Sequence, residues 1–461
     1  MANLRGRALE QEFCDIVREL DGDAEGRQAG DSYLTSVHPV TNQDDTTNWA
    51  LTPKILGSAE LEVLGDAAET MGRILEKVTA RYLSDPDFRA LFGLSEAEEE
   101  LALVPTGYEQ LIPFARLDVL FDEQTGDFRF AGVSTDSAMG MTASVDVTRA
   151  TQLSGAYRRF AERHHGIETF DLADGVVDAL RETYSSWANS DAGSHHPDHP
   201  VVGIVDYAES ATEGEIAALV DRMADEGVFA RFVDIRDLRI EEAAGVRRLV
   251  DSEGPIVCVY RRALVGEMLE KPCDGVDALV EAARRGLACV IGGFRTWPVS
   301  TTALFPVLSS DAVESVLDAQ ELAFVRAHVP EAHVLRHGDD INRYLAEQDE
   351  WLVRPAGAYR APEAVAGVDR MDRDEWWRVL LACCEEGGVV IHRDPSFQTP
   401  AVVGGDSPTG ARGGEEVSVS NLLGLYLFRG KFGGVYARGG YEGVMGDWGQ
   451  RLDMGVLVVR D

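Results

Sequence analysis

From residue 201 to residue 291 the sequence alternates short apolar runs with amphipathic stretches, and this rhythm constrains the fold more than any other feature of the chain. The apolar runs predict strands at 201–205, 228–233, 255–260 and 287–291. Between them, 213–226 and 276–285 have the apolar spacing of helices. Such alternation is typical of a parallel sheet with helices packed on its faces. The middle of the chain therefore predicts an α/β lobe.

The regions on either side of this lobe have different patterns. The first region predicts helices and one β-hairpin, with helices at 6–20, 58–83 and 145–162 and strands at 111–121 and 127–133. After two helices between 301 and 328, the last region predicts α+β structure, with strands at 350–354, 388–392, 417–428, 433–438 and 454–459 and a helix at 374–384. A polar stretch, 186–200, separates the first region from the parallel lobe. We expect three domains, covering residues 1–185, 186–300 and 301–461.

The chain is strongly acidic. Its 461 residues carry 79 acidic and 43 basic side chains, which gives a formal net charge of −36. Nucleic acids and anionic membrane surfaces are repelled by a protein of this charge, so neither is expected as the main partner. Adaptation to salt or to a GC-rich genome is one explanation of the acidity, and an acidic binding face is the other.

The cysteines and the apolar runs bear on the compartment. Six cysteines, most of them in apolar runs, form no Cys-x-x-Cys pair, so we expect buried free thiols in a cytoplasmic protein. No apolar run approaches the roughly 18 residues of a membrane-spanning helix, and the N-terminus lacks a signal-peptide core. Two weaker alternatives stay open. Zinc could bind at His195, His196 and His199 with further ligands, and Cys383-Cys384 could hold a catalytic thiol.

Four separated blocks of sequence carry a family resemblance. They are Arg116-Leu117-Asp118 with 132–140 after it, Tyr260-Arg261-Arg262, Trp351-Leu352-Val353-Arg354-Pro355, and the strand pair 424–438. In this order they resemble the circularly permuted ATP-grasp ligases, of the branch similar to glutathionylspermidine synthase. The resemblance spans most of residues 50–461. It implies an ATP-grasp-like α/β fold, circularly permuted, with a pre-ATP-grasp-type parallel lobe and an α+β C-terminal lobe.

The resemblance also implies ATP and Mg²⁺ as cofactors, because these ligases activate a carboxylate for attack by an amine. Their metal ligands are an Asp on one strand and a Glu and an Asn on the next. Asp118 matches the Asp, whereas the Glu position falls on Gly132 and the Asn position on Ser134. Asp136 is a further candidate. The metal-binding candidates are therefore Asp118, Asp136 and Ser134.

The nucleotide-binding positions depart from the family pattern. The lysine that holds a phosphate is replaced by Arg354, which keeps the charge but presents a larger planar group. The expected glycine-rich loop, 360–364, contains Pro362 and Glu363, and the adenine-side strand includes His392 and Arg393. The candidates for binding ATP are Arg354, Arg393 and His392. These changes together predict a degenerate nucleotide site.

Four arginines keep the family pattern, and we expect them to bind the substrate carboxylate as catalytic-site residues. They are Arg116, Arg261, Arg262 and Arg438. An alternative for Arg261 and Arg262 is a salt bridge with acidic neighbours that stabilises the lobe. Asp136 could equally cap a turn.

Three functions follow from these residues. The first is a ligase that forms a C–N bond between a small carboxylate, such as an amino acid or peptide, and an amine. The second is a degenerate ligase that binds a small anion or a protein partner without turnover. The third is an ATP-independent enzyme that uses the same cleft, with His392 and Asp118 as acid–base groups.

Overall fold

The computed structural model describes residues 4–37, 48–191, 193, 197, 199–355, 365–366, 371–394, 396–403, 412–441 and 451–460. Its α-helices are α1 (Gly6–Glu19), α2 (Ala24–Val37), α3 (Ser58–Ser84), α4 (Pro86–Arg89), α5 (Glu96–Ala102), α6 (Met141–Gln152), α7 (Gly155–Arg163), α8 (Leu172–Ala188), α9 (Glu213–Asp225), α10 (Val265–Glu270), α11 (Asp274–Arg285), α12 (Leu304–Ser309), α13 (Ala319–His328), α14 (Asn342–Ala346) and α15 (Arg373–Glu386).

The strands are β1 (Trp49–Gly57), β2 (Phe114–Phe121), β3 (Phe128–Ser134), β4 (Ile167–Glu168), β5 (Val202–Asp206), β6 (Ala230–Asp234), β7 (Arg239–Ala243), β8 (Val246–Val250), β9 (Cys258–Arg261), β10 (Cys289–Ile291), β11 (Ala332–Val334), β12 (Trp351–Arg354), β13 (Val365–Ala366), β14 (Val389–His392), β15 (Gln398–Val402), β16 (Glu416–Phe428), β17 (Lys431–Gly440) and β18 (Arg451–Val459). No helix of the described part is both long enough and apolar enough to span a bilayer.

The largest sheet combines strands from both ends of the chain. Its order is β1-β18-β17-β16-β2-β3, with β15 also paired to β16 and β4 to β18. The pairing is antiparallel except between β1 and β18. The long helix α3 packs its buried side chains into the main core, which includes Leu64, Met71 and Leu75 on α3 and Leu425 on β16. Strands of the first and third expected domains therefore form one sheet.

The second sheet has the order β10-β9-β5-β6, and all three of its pairings are parallel. After β5 the chain adds β6 on one side, and it later adds β9 on the other side. The loops after β5 and β9 therefore leave the sheet in opposite directions, a topology that opens a crevice at the carboxyl ends of the two strands. Asp206 ends β5 and Arg261 ends β9, so both lie at this edge.

A small sheet of order β11-β14-β12-β13 packs against α15. Its core includes the buried indole rings of Trp351 and Trp376. Helix α15 begins with a capping box, in which Asp372 and Glu375 satisfy each other's backbone N–H groups. Gly387 caps its C-terminus, with a φ of 72° in the left-handed conformation that suits glycine.

Several elements differ from the sequence-based predictions. The polar stretch before residue 50 contains α2, and β1 begins at Trp49. The single helix predicted at 145–162 is divided into α6 and α7, because the hydroxyl of Ser154 caps the second helix. Helix α8 and the β7–β8 hairpin were not predicted. The mixed α/β class is confirmed.

Candidate functional site

Arg116 and Asp118 form the centre of a charged cluster on the large sheet. They are two residues apart on β2, so their side chains point to the same face of the sheet. Arg116 donates two hydrogen bonds to Asp118, from Nε to Oδ1 at 2.8 Å and from Nη2 to Oδ2 at 3.1 Å. Arg438 on β17 donates from Nη2 to the same Oδ1 at 2.7 Å. One carboxylate therefore holds two guanidinium groups side by side.

The strand between β2 and β17 makes this approach possible. Gly424 on β16 lies directly opposite Asp118 in the sheet register. A Cβ atom at Gly424 would lie 2.8 Å from Cδ of Arg116 and 3.2 Å from Oδ1 of Asp118. The missing side chain at Gly424 thus leaves the space through which Arg438 reaches Asp118.

A second arginine–aspartate pair continues the cluster. Arg451 on β18 donates to Asp453 at 2.9 Å, and the hydroxyl of Tyr436 donates to Asp453 at 2.6 Å. Asp453 lies directly opposite Arg438 in the register, and the guanidinium of Arg438 stacks 5.2 Å from the ring centre of Tyr436. We call Arg116, Asp118, Arg438, Arg451 and Asp453 the arginine–aspartate cluster. Its three arginines and two aspartates leave one net positive charge.

The electrostatics of the arginine–aspartate cluster favour an ionised Asp118. Burial alone would raise the pKa of Asp118, but the positive charges of Arg116 and Arg438 outweigh this effect and lower it. Nε of Arg438 is buried and has no hydrogen-bond partner among the described residues. The side chains of Arg116, Asp118 and Arg438 are 10–15% exposed.

The loop 135–140 connects β3 to α6 and joins the cluster to the parallel sheet. The backbone oxygen of Met139 accepts hydrogen bonds from Nη1 of Arg116 at 2.7 Å and from the hydroxyl of Tyr426 at 2.5 Å. Earlier in the loop, Asp136 and Ser137 contact the carboxyl edge of the parallel sheet. The loop 135–140 therefore contacts two sets of arginines.

The second set is Arg261 and Arg262, and both are paired within the protein. Arg261 bonds to Asp136, to the carbonyl of Gly292 at 2.6 Å and to the carbonyl of Ala263 at 2.5 Å. Arg262 bonds to Glu215 at 2.6 Å and to Ser137 at 3.1 Å. The side chains of Arg261 and Arg262 are 0% and 2% exposed. Arg261 and Arg262 thus form buried salt bridges with Asp136 and Glu215, as in the alternative in which they stabilise the lobe.

Asp206 lies at the same edge of the parallel sheet. Burial raises the pKa of its carboxyl group to about 6, although the nearby charge of Arg262 opposes the change. Its Oδ1 accepts a hydrogen bond from the backbone N–H of Tyr207 at 2.8 Å. The carboxyl group of Asp206 therefore changes its charge closer to neutral pH than an ordinary aspartate does.

The candidates for ATP binding lie on the small sheet. Arg354 is opposite Val389 in the β12–β14 register, and His392 is opposite Trp351. The two candidates are thus three residues apart along the strand pair, which is roughly 10 Å. Arg393 follows His392 directly, and all three are partly exposed. Their partial exposure contrasts with the burial of Arg261 and Arg262.

The predicted metal ligands do not form a magnesium site in this fold. Asp118 is held by two arginines, and Asp136 uses one oxygen for Arg261 and the other for the backbone N–H of Val265 at 2.8 Å. Ser134 pairs with Arg116 across the β2–β3 ladder. The described residues contain no group of three or more His, Cys, Asp or Glu side chains that could hold a metal. Because arginines already compensate both carboxylates, the residues present do not fit Mg²⁺.

Sequence reasoning missed three residues of these clusters, namely Glu215, Arg451 and Asp453. A signal for two of them was available, because the tripeptide Arg-Leu-Asp occurs at 116–118 and again at 451–453. Glu215 carried no such signal. The expected glycine-rich loop 360–364 and two of the possible zinc ligands, His195 and His196, lie outside the described residues.

Comparison with known proteins bears on the fold. The sequence matches no protein-family profile and no curated protein. Among solved structures, the chain is similar to a glutathione synthetase-like effector from Globodera pallida in its apo form. The TM-score is 0.60 and the identity 11%, over 95% of this chain and 97% of that chain. This likeness supports a fold similar to that of the glutathione synthetase-like effector and, at such low identity, shows the fold alone.

A second solved structure is a RimK domain ATP-grasp protein from Sphaerobacter thermophilus. It has a TM-score of 0.27 and 16% identity, over 56% of this chain and 90% of that chain. A likeness with this TM-score carries no argument about fold or function.

Proposed function

We propose that this chain is an enzyme of the carboxylate–amine ligase type, whose substrate carboxylate belongs to an amino acid or a small peptide. The arginine–aspartate cluster is the observation that carries the proposal. It has one positive charge more than its own carboxylates neutralise, and Nε of Arg438 is buried without a partner among the described residues. Paired guanidinium groups are the strongest protein partners of a carboxylate. A bound substrate carboxylate would complete the charge balance.

Each residue of the cluster has a distinct role in this proposal. Arg116 and Arg438 bind the carboxylate, while Asp118 fixes the spacing of their guanidinium groups. The ring of Tyr436 stacks against the guanidinium group of Arg438 and helps to hold it in place. The side chain of Met139 is 40% exposed beside Arg116 and offers an apolar contact to the rest of the substrate. These residues position the reacting carboxylate rather than transfer a proton.

Arg354, Arg393 and His392 would bind the phosphates and base of ATP, and their partial exposure is compatible with this role. When bound, ATP supplies the phosphoryl group that activates a carboxylate for attack by an amine. Arg354 is permanently charged, so its part in this binding does not depend on pH. No step is assigned to Mg²⁺, because the residues present do not fit the ion.

The experiment that tests the proposal measures ADP release from ATP in the presence of amino acids, dipeptides and simple amines. We expect release that depends on both a carboxylate and an amine, and loss of most activity in Arg438→Ala and Arg354→Ala. Arg326→Ala is the matched control, because Arg326 is 67% exposed and its salt-bridge partner among the described residues is Glu314. Equal activity in Arg438→Ala and Arg326→Ala would refute the role of the cluster.

A second candidate function is a pseudo-ligase that binds a small carboxylate without turnover. Two observations favour this function. Asp118 and Asp136, the candidate metal-binding aspartates, are each paired with arginine. Gly132 also has no side chain at the position where the ligases carry a metal-binding Glu. In this case the same carboxylates would bind and Arg438→Ala would weaken binding, but ADP would not be released under any condition. Binding and turnover measured on one set of variants therefore separate the two functions.

A further inference from the structure

Strand β6 is an edge of the parallel sheet, and its outer side carries backbone groups that no other strand uses. In the register of β5 and β6, Val202 lies opposite Ala230, and the N–H of Val202 donates to the carbonyl of Phe229 at 2.8 Å. Successive residues of a strand direct their backbone groups to opposite sides, so Phe229 and Arg231 face β5. The N–H and C=O groups of Ala230 and Phe232 therefore point away from the sheet, and no described residue hydrogen-bonds to them there.

The opposite edge of the same sheet is covered. Strand β10 forms that edge, and the carbonyl of Val290 on β10 accepts a hydrogen bond from the hydroxyl of Tyr108 at 3.1 Å. The same hydroxyl accepts from the backbone N–H of Gly293 at 3.2 Å, directly after β10. The loop that carries Tyr108 thus uses backbone groups at this edge, whereas β6 has no comparable cover among the described residues.

Strand β6 also lacks the usual features that keep an edge strand from pairing. Proteins protect exposed edges with Pro, with Lys or with a bulge. The sequence of β6 is Ala-Arg-Phe-Val-Asp, and its register with β5 has no shift. Its one basic side chain, Arg231, is held by Asp251 through two hydrogen bonds of 2.8 Å. The outer edge of β6 is therefore open to another strand.

Two phenylalanine side chains flank this open edge. Phe229 is 78% exposed, more than any other large apolar side chain of the described part, and Phe232 is 38% exposed. They are three residues apart, so they lie on opposite faces of the strand. An extended segment added along β6 would cover one ring on each face. Backbone hydrogen bonds together with side-chain contacts on alternate faces are how proteins bind a peptide as an added strand.

The charge around β6 indicates which kind of segment fits. Residues 225–237 contain two arginines, both paired with acids of the protein, and four acidic residues. The four acids lie before and after the outward-facing residues of the edge, and they are Asp225, Glu226, Asp234 and Asp237. A second copy of this chain, with its net charge of −36, would be repelled. A segment with basic residues on both sides of an apolar centre would be attracted.

We propose that the outer edge of β6 is a docking site for an extended segment of a partner protein, with an apolar centre flanked by basic residues. The segment adds a fifth strand to the four-stranded parallel sheet by bonding to Ala230 and Phe232. Its apolar side chains cover Phe229 and Phe232, and its basic side chains meet the acids before and after them. The inference is independent of the ligase proposal, because the arginine–aspartate cluster lies on the other sheet.

The test uses a fluorescent peptide of sequence Lys-Lys-Val-Thr-Val-Ile-Val-Lys-Lys with blocked ends. One matched peptide carries N-methyl groups on Thr and on the Val after it, which block one hydrogen-bonding edge each and keep the charge. A second has Glu in place of every Lys. We expect saturable binding of the first peptide in fluorescence anisotropy, and at least roughly 10-fold weaker binding of the other two. No binding of the first peptide, or equal binding of either matched peptide, would overturn the proposal.

Ala230→Pro tests the backbone of the edge within the protein. It removes an outward N–H and leaves the bonds to β5, a position at which edge strands tolerate proline. Ala230→Ser is the matched control, because it keeps the N–H. We expect roughly 3- to 10-fold weaker peptide binding by Ala230→Pro and unchanged binding by Ala230→Ser. Equal affinities of two folded variants would contradict the proposal.

Hydrogen exchange of the wild type needs no variant. The amides of Ala230 and Phe232 should exchange fast in the free chain, whereas those of Arg231 and Val233, which face β5, should exchange slowly. The basic peptide should slow exchange at Ala230 and Phe232 by at least roughly 10-fold. Unchanged exchange with the peptide bound would overturn the proposal. Protection that rises with protein concentration without peptide would also overturn it, because a second copy would then occupy the edge.

Discussion

Asp206 shows at the scale of one residue how burial makes stability depend on pH. Its pKa is raised from 3.8 to about 6 in the folded chain. An acid with a higher pKa in the folded state stabilises the fold while it is protonated, and this contribution is lost as the pH rises through the folded pKa. The carboxyl group of Asp206 therefore costs stability at neutral pH. The positive charge of Arg262 compensates this cost only in part.

We predict that Asp206→Asn gains stability relative to the wild type as the pH rises. Asparagine can still accept the hydrogen bond from Tyr207, and it does not ionise. Between about pH 5 and about pH 7.5 the relative gain should be about 1.4 kcal/mol, since one pKa unit corresponds to that energy. Urea unfolding of both proteins at the two pH values measures the change. A constant difference between the proteins would show that Asp206 is already ionised at the lower pH.

At the scale of elements, the contact between Asp118 on β2 and Arg438 on β17 depends on a glycine, Gly424, in the strand β16 that lies between them. Gly424 on β16 and Gly132 on β3 lie on either side of Asp118. A Cβ at Gly424 would meet Arg116 at 2.8 Å, whereas the nearest described neighbour of a Cβ at Gly132 would be Asp118, at 3.6 Å. The two glycines are therefore a matched pair in which only Gly424 has no room for a side chain.

Gly424→Ala should destabilise the protein by roughly 1–3 kcal/mol, because Arg116 must move and its bonds to Asp118 weaken. Gly132→Ala should be neutral or stabilise by up to about 1 kcal/mol, since alanine lowers the entropy cost of ordering the strand. Thermal unfolding and carboxylate titration of both variants measure the effects. Similar losses in the two variants would contradict the packing argument.

The sequence predicted those elements whose local pattern agrees with their burial. Strand β9 lies within three residues and helix α11 within two residues of the predicted bounds, because apolar periodicity alone specifies them. Strand β1 was missed, since Pro53 and Lys54 oppose a buried strand. In the structure Lys54 is fully buried and pairs with Glu10 at 3.2 Å and with Glu123. Partners from distant parts of the chain make this burial possible, and no local pattern contains them.

The same reason limits what the sequence says about the site. Arg116, Asp118 and Arg438 were all recognised as candidates, but the sequence separation of 320 between Asp118 and Arg438 conceals their contact. The sheet register creates it by placing β16 between β2 and β17. Glu215 was missed because its role depends on the position of α9 beside α6. Residue types were thus predictable, whereas their pairing depends on topology.

At the scale of the whole molecule, a net charge of −36 opposes compaction through repulsion between acidic groups. Many surface arginines pair with acids, yet 43 basic residues cannot balance 79 acidic ones. Salt screens this repulsion, because the Debye length falls to roughly 3 Å at 1 M.

We therefore predict that the Tm rises by several degrees between about 0.05 M and about 1 M sodium chloride. A differential scanning fluorimetry series at fixed pH measures it. A constant or falling Tm would contradict this prediction. It would show that the exposed salt bridges stabilise the protein by more than the repulsion between acidic groups destabilises it.

Calorimetric titration tests most directly whether the arginine–aspartate cluster binds a carboxylate. Glutamate, alanine and small peptides are titrated into the wild type, Arg438→Ala and the control Arg326→Ala. We predict saturable binding of at least one of these carboxylates to the wild type and the control, and roughly 10- to 100-fold weaker binding to Arg438→Ala, as expected for a lost charged hydrogen bond. No binding to the wild type, or equal affinity in all three proteins, would contradict the account.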